Sequence, residues 1–350
     1  MISDKKHKHI AGRIINYSIS LLLTAIFLYI AFYDVEFDQV LEILSGASIT
    51  WIVLLIIVWY FSHYLRALRW KVILHSVKGN SSVKHLFGAL MVGYGVNCVV
   101  PRLGEISRSV VLGRWENLSR SSMFGTVIVE RVIDIIFLGI ALVISVFISG
   151  DILFQSFPWL RTTLYLTLLF ILVAIVIIYL TVRLKEKFYG IIVSMVGKIS
   201  EKFGQTTAHI FGMLTEGFAS LKGVKNYSLT LLLSVAIMIL YALTSYMGFF
   251  TIEMDNIRPV SFEMGWVLMS VSAIGVVIPT PGGTGSYHTL AKSVLVLLYA
   301  FPEETSLAYA ILMHIISYIL FIFTALIVFF LLDKQRGNLL KVVETELEEL

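Results

Sequence analysis

Residues 87–109 read FGALMVGYGVNCVVPRLGEISRS, an apolar run that ends at a Pro-Arg-Leu-Gly turn and continues with charged residues. The apolar part is shorter than the roughly 20 residues with which a helix crosses about 30 Å of hydrocarbon. A second broken run, within residues 260–300, stops at Pro279-Thr-Pro-Gly-Gly-Thr-Gly-Ser286. These two interruptions decide how the rest of the chain is interpreted.

The composition is that of an integral membrane protein. Of 350 residues, 58% are hydrophobic and 14% are charged, whereas about 25% is usual for charged residues in a soluble domain. The first apolar run, Ile14 to Phe32, lacks a signal-peptide cleavage pattern and is long enough to remain as a membrane helix. We therefore predict an all-α polytopic integral membrane protein.

Other functional classes lack support in the sequence. Cys98 is the single cysteine, which excludes a disulfide within the chain and makes a cysteine metal site implausible. No nucleic-acid motif is present, and the GxxxxGK[ST] phosphate loop of nucleotide hydrolysis is also absent. We expect no cofactor, no metal and no nucleic-acid partner.

Basic residues near membrane ends mark the cytoplasmic side. Residues 1–13 are rich in lysine, the loop from Asp34 to Ser48 is acidic, and the chain after Leu68 is basic again. This alternation puts the N-terminus in the cytoplasm and the acidic loop outside. If the run 86–100 crossed the membrane completely, four arginines would face outward against the rule: Arg102, Arg108, Arg114 and Arg120.

A re-entrant hairpin at residues 86–112 avoids that conflict, and residues 260–300 form a similar hairpin from the opposite side. We expect about six full transmembrane helices and two re-entrant hairpins in an inverted-repeat arrangement, with eight full crossings as the alternative. The predicted segments are the cytoplasmic N-terminus 1–13, a first membrane half 14–182, an interfacial amphipathic helix 187–222, a second half 226–332 and a cytoplasmic tail 333–350.

Six ionisable residues lie in or next to the first hairpin and the following span, where each charge is costly unless it faces protein or water. Glu130 and Asp134 lie four residues apart and share one helical face. The six residues are Arg102, Glu105, Arg108, Glu130, Arg131 and Asp134. Taken singly, each is explained by ion pairs that fasten the hairpin to its neighbour.

Taken together, six charges exceed what such fastening requires. Arginine can donate two parallel hydrogen bonds to a phosphate. We therefore hypothesise that Arg102, with Arg108 or Arg131, binds an anionic headgroup while the carboxylates hold the arginines in place. Glu105, Glu130 and Asp134 are also candidate proton carriers. An Arg102→Ala variant is expected to lose transport without unfolding.

The second tip is rich in glycine, as a tight re-entrant turn requires. Gly282, Gly283 and Gly285 precede a helix start whose N–H groups can bind an anion. His288 and Lys292 lie four residues apart and can face the same cavity, although a packing role for His288 is the simpler explanation.

Three further residues have a predicted position. Asn97 lies one turn before Pro101 and can form a hydrogen bond where the two tips cross. Arg66 and Arg69 end the second span, where their simplest role is that of interfacial anchors whose heads reach water. Attraction of anionic headgroups is the functional alternative for both arginines.

Four sequence blocks, in this order, resemble the flippase-like membrane region of lysylphosphatidylglycerol synthases, and the resemblance covers about residues 10–335. The blocks are Arg66-Ala-Leu-Arg-Trp70, Asn97 with Pro101-Arg-Leu-Gly-Glu105, Glu130-Arg-Val-Ile-Asp134 and Pro279-Thr-Pro-Gly-Gly-Thr-Gly285. The resemblance implies a translocator in the cytoplasmic membrane for an anionic lipid or a polyprenyl-phosphate-linked sugar. It departs from the synthases in having no aminoacyl-transferase domain after residue 335, so we expect a lipid other than the lysyl lipid.

The expected partners are an anionic or lipid-linked substrate, the bilayer, and either a lipid-modifying enzyme or further copies of the chain. Two other functions stay open. One is secondary transport of a small soluble anion through the same hairpins. The other is an intramembrane transferase or phosphatase acting on a lipid carrier, in which acids at helical spacing serve as general bases.

Overall fold

The computed structural model describes residues 2–75, 77–173, 176 and 223–333, and these residues form helices without any strand. They fall into two compact units. The first contains the described chain up to Trp59, together with Met91–Gly104 and Tyr241–Phe329. The second contains the described residues of Tyr60–Leu90, those from Glu105 to Leu240, and those from Phe330 onward. The prediction of an all-helical chain is confirmed for these residues.

Within the described ranges, four helices are long and apolar enough to cross a membrane, because each contains an apolar window of 18 residues with few charges. They are α3 (Ile49–Leu74), α6 (Arg120–Ser156), α8 (Val224–Thr251) and α11 (Glu303–Asp333). Ser119 caps the N-terminus of α6, because its hydroxyl accepts a hydrogen bond from the Ser122 N–H at 3.3 Å. The helix is bent at Ser149, whose backbone angles are not helical.

The N-terminal helix α1 (Ile2–Phe32) is followed by a short helix α2 (Phe37–Ser45), and the pair is bent by 85°. The bent pair counts as a fifth span in the described chain if both parts cross together. The sequence predicts only an acidic outer loop from Asp34 to Ser48. The structure differs because Val40 is fully buried while Asp38 and Glu42 stay exposed, which is the pattern of a short amphipathic helix.

Besides α2, the described part of the chain contains five shorter helices. Helices α4 (Val83–Val99) and α5 (Leu103–Glu116) follow α3, helix α7 (Pro158–Val173) follows α6, and helices α9 (Phe262–Val277) and α10 (Ser286–Tyr299) follow α8. Helix α9 is 16 residues long and α10 is 14, so each is about 20–25 Å long. The predicted amphipathic helix 187–222, the tail 334–350 and part of the predicted span 162–182 lie outside the described residues.

The first bend joins α4 to α5 through Val100–Arg102. Arg102 adopts φ +65°, a left-handed conformation that is uncommon for a residue with a side chain. The Asn97 side-chain oxygen accepts a hydrogen bond from the Gly104 N–H at 2.7 Å. A Cβ atom on Gly104 would collide with the Gly93 carbonyl, so α5 folds directly back onto α4. Asn97 therefore closes its own bend, where the sequence placed it at the crossing of the two tips.

The second bend joins α9 to α10 and is built from glycines in left-handed conformations. Gly282, Gly283 and Gly285 have φ values of +56°, +78° and +85°. Only glycine adopts such angles at little cost. A Cβ atom on Gly285 would also lie 2.8 Å from the Thr24 carbonyl of α1. These glycines therefore permit the backbone angles of the turn, and Gly285 also lets α1 pack closely against it.

The two bends meet within the first unit. A Cβ atom on Gly282 would lie 3.4 Å from the Cys98 Cα, and the Tyr318 hydroxyl donates a hydrogen bond to the Cys98 carbonyl. The Ser20 hydroxyl of α1 donates to the Pro279 carbonyl at 2.5 Å. The arginine-bearing bend and the glycine-bearing bend thus lie side by side, as the sequence predicts. Side chains from α1 and α11 satisfy the carbonyls that the interrupted helices leave open.

In the second unit, Glu116 at the C-terminus of α5 connects this helix to the start of α4, and we call these contacts the Glu116 clamp. Its carboxylate accepts hydrogen bonds from Lys78 Nζ at 2.7 Å and the Ser82 N–H at 3.1 Å, and it lies 2.6 Å from His85 Nδ1. Burial acts to raise the pKa of Glu116, but these hydrogen bonds outweigh it and hold the pKa below its ordinary value.

The close approach at Gly104 predicts a strong effect of one methyl group. We expect Gly104→Ala to lower the stability of the purified protein by about 1–3 kcal/mol, because the backbone of α5 must move away from α4. Gly46→Ala is the matched control, since its Cβ would lie 3.6 Å from the nearest atom, an ordinary contact. Thermal unfolding in detergent measures both. Equal melting temperatures for the two variants would contradict the close contact.

The Glu116 clamp predicts a pH-dependent contribution to stability. A carboxylate with a lowered pKa stabilises the fold above the unfolded-state pKa of about 4.3, and the contribution disappears as the pH falls through the lower folded-state value. We expect Glu116→Gln to melt below wild type at pH 7 and the difference to shrink below pH ~4. Asp151→Asn, at an exposed carboxylate, is the control. A constant difference across this range would argue against an ionised clamp.

Candidate functional site

The second unit contains a cluster of seven charged side chains from three helices. Helix α3 supplies two arginines, α5 supplies an arginine and a glutamate, and α6 supplies the remaining three charges. The seven are Arg66, Arg69, Glu105, Arg108, Glu130, Arg131 and Asp134. The cluster contains five of the six charges that the sequence analysis grouped together, and it adds Arg66 and Arg69.

At the centre, two carboxylates of α6 face two arginines of α3. Arg66 donates hydrogen bonds to Glu130 Oε1 and to Asp134 Oδ2, each at 2.6 Å. Arg69 lies 3.3 Å from Glu130 Oε1 and donates a short hydrogen bond to Asp134 Oδ1. The acids are four residues apart and the arginines three, so each pair occupies one face of its helix and the two faces match.

Helix α5 closes the inner side of the cluster. Arg108 donates to Glu130 Oε2 at 2.7 Å, and its guanidinium carbon lies 5.0 Å from the centre of the Trp70 ring, a cation–π distance. The Trp70 indole N–H donates to Thr126 Oγ1 at 3.0 Å. Glu130 is therefore shared by arginines from two helices other than its own.

The outer edge is formed by Arg131 and Glu105. Arg131 donates to Glu105 Oε1 at 2.8 Å, and its second terminal nitrogen lies 3.6 Å from Asp134 Oδ2. The exposed fraction rises from 0% for the side chains of Arg69 and Glu130 to 15% for Asp134, 25% for Glu105 and 34% for Arg131. This edge is therefore the most accessible part of the cluster.

The cluster is rich in arginine, with four guanidinium groups and three carboxylates among the seven side chains. A buried ion pair roughly compensates the desolvation of its members only when the geometry is good, and an uncompensated charge there is costly. The short contacts around Glu130 and Asp134 meet that requirement.

Arg66, Arg69 and Arg102 lie in different surroundings. Arg66 and Arg69 are not interfacial anchors whose heads reach water, because they are 5% and 0% exposed and form ion pairs with α6. Arg102 lies in the first bend, within the first unit, and is exposed. The ion pairs found among the described residues do not include it. The functional roles of Arg66, Arg69 and Arg102 stay predictions.

The residues around the glycine bend are engaged with one another. The His288 Nδ1 accepts a hydrogen bond from the Gly285 N–H at 3.2 Å, which closes the start of α10. Ser286 is fully buried, and its hydroxyl donates to the Gly275 carbonyl of α9 at 2.7 Å. The structure thus gives His288 a capping contact. The binding of an anion by this bend stays a prediction.

Lys292 has a different place from the predicted cavity. Its ammonium group donates to the Ala31 and Tyr33 carbonyls at the end of α1, at 3.1 and 3.2 Å, and pairs with Glu303 at 2.5 Å. A cation at a helix C-terminus interacts favourably with the helix dipole. Lys292 therefore fastens α1 and α11 to α10, away from the bend.

Some participants carry no recognisable signal in the sequence. Ser234 of α8 accepts a hydrogen bond from Arg69 at 3.0 Å, and Tyr318 of α11 contacts both bends. Each is a single polar residue in an apolar helix, which is common and has no specific meaning. Arg66 and Arg69 do carry a signal, since their spacing complements that of Glu130 and Asp134. Within the described residues, no group of three histidine, cysteine or acidic side chains is placed to bind a metal.

Comparison with known proteins shows that the sequence matches a family along most of its length. The sequence profile of the lysylphosphatidylglycerol synthase TM region matches residues 17–325. A UPF0104 membrane protein of Methanocaldococcus jannaschii is 23% identical, with an alignment that covers 92% of this chain and 97% of that relative. A second UPF0104 membrane protein, from Methanothermobacter thermautotrophicus, is 24% identical over 80% of this chain and 85% of its own. The glycosyltransferase AglD of Haloferax volcanii is 22% identical over 85% of this chain and 51% of its own length.

The charge cluster predicts unequal effects for two conservative changes. We expect Glu130→Gln to lower stability by about 3–5 kcal/mol, because it leaves buried arginines without their shared carboxylate. Glu105→Gln, at the exposed edge, is expected to cost at most about 1 kcal/mol. Thermal unfolding of both variants in the same detergent is the measurement. A melting temperature for Glu130→Gln equal to that of Glu105→Gln would refute the central role of Glu130.

Proposed function

The chain belongs to the family of the lysylphosphatidylglycerol synthase TM region, and we propose that it is a flippase that moves an anionic, phosphate-bearing lipid or a polyprenyl-phosphate-linked headgroup across the membrane. The acyl or polyprenyl chains stay in the hydrocarbon while the headgroup passes through a polar cavity. Such a pathway must compensate the desolvation of the phosphate, which is severe for an unpaired ion.

The observation that carries this proposal is the arginine-rich cluster on α3, α5 and α6. Each ionised group within a bilayer costs about 2.5–3.5 kcal/mol on insertion scales, so seven of them are unexpected in a purely structural role. Arginine suits phosphate because its planar guanidinium donates two parallel hydrogen bonds. The cluster therefore fits a protein that receives a phosphate group inside the membrane.

We propose six full spans and two re-entrant hairpins for the membrane topology. Helices α5, α9 and α10, at 14 to 16 residues, are shorter than a typical span, and both pairs of short helices fold back at their bends. The opposite insertion of the two hairpins makes the halves inverted repeats, and their meeting tips lie near the membrane middle in such transporters.

The proposed orientation puts both termini in the cytoplasm. Lys5, Lys6 and Lys8 precede the first apolar run, and Lys334 and Arg336 follow the last one. The acidic segment around α2 then faces outward. This orientation fits the cytoplasmic membrane, where a lipid made on the inner leaflet must reach the outer one.

In this arrangement Arg102 is the residue that meets the headgroup at the bends. It is exposed at the tip that contacts the glycine bend, and its left-handed backbone directs it away from the regular course of α5. With no nucleotide-binding motif in the sequence, the proposed transport is passive or coupled to an ion. Partners would be a lipid-modifying enzyme that supplies the headgroup, or another copy of the chain.

A catalytic role is the main rival, because one relative bears the name of a glycosyltransferase. The alignment covers 51% of that relative's length, so the whole activity in its name does not transfer to this chain. We propose translocation for this chain, since arginine-rich ion pairs are poor general bases while they persist. Incubation with a polyprenyl-phosphate sugar and the detection of a covalently changed product would favour the enzyme instead.

Transport by Arg102 variants tests the proposed function. We expect Arg102→Asn to slow translocation of NBD-labelled phosphatidylglycerol at least tenfold, because it removes the charge while asparagine tolerates a left-handed φ. Arg102→Lys keeps the positive charge but lacks the planar guanidinium that donates two parallel hydrogen bonds, so it is expected to retain partial activity. Protection of the fluorophore from dithionite in proteoliposomes gives the rate.

Lys84→Gln removes one exposed positive charge elsewhere on the chain and is the control, with a rate equal to that of wild type. Melting temperatures ensure that slow variants are folded. A wild-type protein that does not accelerate exchange of this lipid or of a polyprenyl-phosphate sugar would rule out the flippase. Uptake of soluble glycerophosphate without lipid exchange would favour a transporter of small anions.

A further inference from the structure

Two histidines meet beside the glycine bend of the first unit. The ring centroids of His288, on α10, and His314, on α11, are 4.6 Å apart. His288 is buried and His314 is partly buried, and within the described residues neither forms an ion pair with a carboxylate. Two positive charges this close repel each other, so the pair holds at most one additional proton. The hydrogen bonds of the two rings differ, and they show which ring can accept it.

The contacts of His288 oppose a second proton on its ring. Its Nδ1 accepts a hydrogen bond from the Gly285 N–H at 3.2 Å, so the neutral ring carries its proton on Nε2. A second proton would occupy Nδ1 and break this bond at the start of α10. A positive charge is also unfavourable at a helix N-terminus, where the helix dipole is positive. His288 is therefore the poorer proton acceptor of the pair.

His314 can take a second proton without losing a contact. Its Nε2 lies 3.2 Å from the Thr284 hydroxyl, and a hydroxyl either donates or accepts a hydrogen bond. The rings of Tyr287 and Tyr318 have centroids 5.9 and 5.3 Å from that of His314, at interplanar angles of 29° and 37°. Aromatic rings within about 6 Å of a cation attract it to their faces. His314 is thus the ring on which the pair holds a proton best.

The position of His314 connects it to both bends. Thr284 belongs to the glycine bend, and the Tyr318 ring lies 2.5 Å from a Cβ atom placed on Gly282. The Tyr318 hydroxyl donates to the Cys98 carbonyl, close to the end of α4. A proton on His314 and an anion where the bends meet attract each other. By linkage, each therefore increases the binding of the other.

The surroundings of the pair leave the charge change near neutral pH to the histidines. Tyrosine and cysteine carry no charge there. Lys292 is paired with Glu303, Arg102 is exposed at the first bend, and the only acid of α9 is Glu263, at the far end from the bend. The titratable and charged side chains around the pair, within the described residues, are Tyr17, Cys98, Tyr287, Lys292, Tyr309 and Tyr318.

We propose that His314 binds a proton together with the anionic headgroup at the bends, so that one proton and one headgroup cross the membrane as a neutral pair. The proton comes from water and joins the ring nitrogen that is free in the neutral imidazole. This inference rests on the proposed function and names the ion that drives it. The sequence analysis considered Glu105, Glu130 and Asp134 as proton carriers, but each of them is paired with an arginine.

Two driving forces distinguish this coupling from passage of the anion alone. When a proton accompanies each lipid, no net charge moves, so a pH gradient redistributes the lipid and a membrane potential does not. The reverse holds for an anion that moves alone, because a single charge responds to the potential. The test uses the full chain in vesicles that contain NBD-labelled phosphatidylglycerol, with dithionite to measure the outer fraction.

For wild type, with the outside about one pH unit more acidic, we expect the lipid to become at least about threefold enriched in the inner leaflet; one proton per lipid limits the ratio to about tenfold. A potential set by potassium and valinomycin is expected to leave the two leaflets equal. Vesicles without protein give the background for both conditions.

Three glutamine variants locate the proton. His314→Gln keeps a polar group beside Thr284 but binds no proton, so we expect the pH gradient to lose its effect. His288→Gln keeps an acceptor for the Gly285 N–H, as glutamine does in a capping box, and is expected to keep a response to the gradient. His75→Gln changes an exposed histidine elsewhere and is the control, with the wild-type response.

Binding measures the same coupling without transport. The probe is dioctanoyl phosphatidylglycerol, whose phosphodiester keeps its single charge between weakly acidic and weakly basic pH. From thermal stabilisation of the full chain in detergent, we expect its apparent Kd to be at least about fivefold lower near pH 6 than near pH 8. His314→Gln is expected to abolish this difference, and uncharged dioctanoylglycerol is expected to show none. The unliganded melting temperature of each variant reports its folding.

The outcomes separate the inference from the proposed function. Redistribution by the potential and not by the pH gradient, or equal lipid binding at both pH values, overturns proton coupling and retains the flippase. A pH response that persists in His314→Gln overturns His314 as the proton site. Binding that depends on both pH and His314, in a protein that exchanges no lipid, retains the proton site and rejects the flippase. Neither binding nor exchange of the lipid rejects both.

Discussion

The shared carboxylate of Glu130 is the interaction on which the second unit depends. Three arginines from α3 and α5 meet this fully buried group, and Asp134 one turn later meets two of the same arginines. In an apolar surrounding none of these charges is tolerable alone, so the positions of the three helices are tied to one another. Hydrophobic contacts between the same helices would permit sliding or rotation, which directional ion pairs do not.

A comparable constraint acts on the backbone at the two bends. Interrupted helices expose carbonyl and N–H groups, and irregular backbone at membrane depth is tolerated only where protein or water satisfies it. Here the partners come from other parts of the first unit: Asn97 for the Gly104 N–H, Tyr318 for the Cys98 carbonyl and Ser20 for the Pro279 carbonyl. The close packing of glycine backbone brings these partners within reach. Each bend is thus stabilised by hydrogen bonds from neighbouring segments, without which its backbone groups would lack partners.

The sequence predicts the helices and the bends well because apolar runs, proline and glycine act locally. It also predicts that Glu105, Arg108, Glu130, Arg131 and Asp134 have partners, since charge in hydrocarbon requires compensation. It misplaces Arg66 and Arg69, because a basic residue at the end of an apolar run looks the same whether its head reaches water or a carboxylate on another helix. Ser234 and Tyr318 are beyond sequence reasoning, as their roles follow from which helices pack together. The sequence does not predict helix α2, because the segment is only nine residues long and its acids indicate an outer loop.

The stability of the charge cluster and its proposed function place opposite demands on the same residues. A site in which every charge is matched and buried would be stable and inert, because a substrate anion would have to break a pair worth several kcal/mol. The observed cluster separates these demands in space. Its buried side, around Glu130, contains the pairs that fix the helices, and its more accessible side contains the pair of Glu105 and Arg131. A more exposed ion pair contributes less to stability than a buried one. The cluster can therefore rearrange at Glu105 and Arg131 while the pairs around Glu130 keep the helices in place.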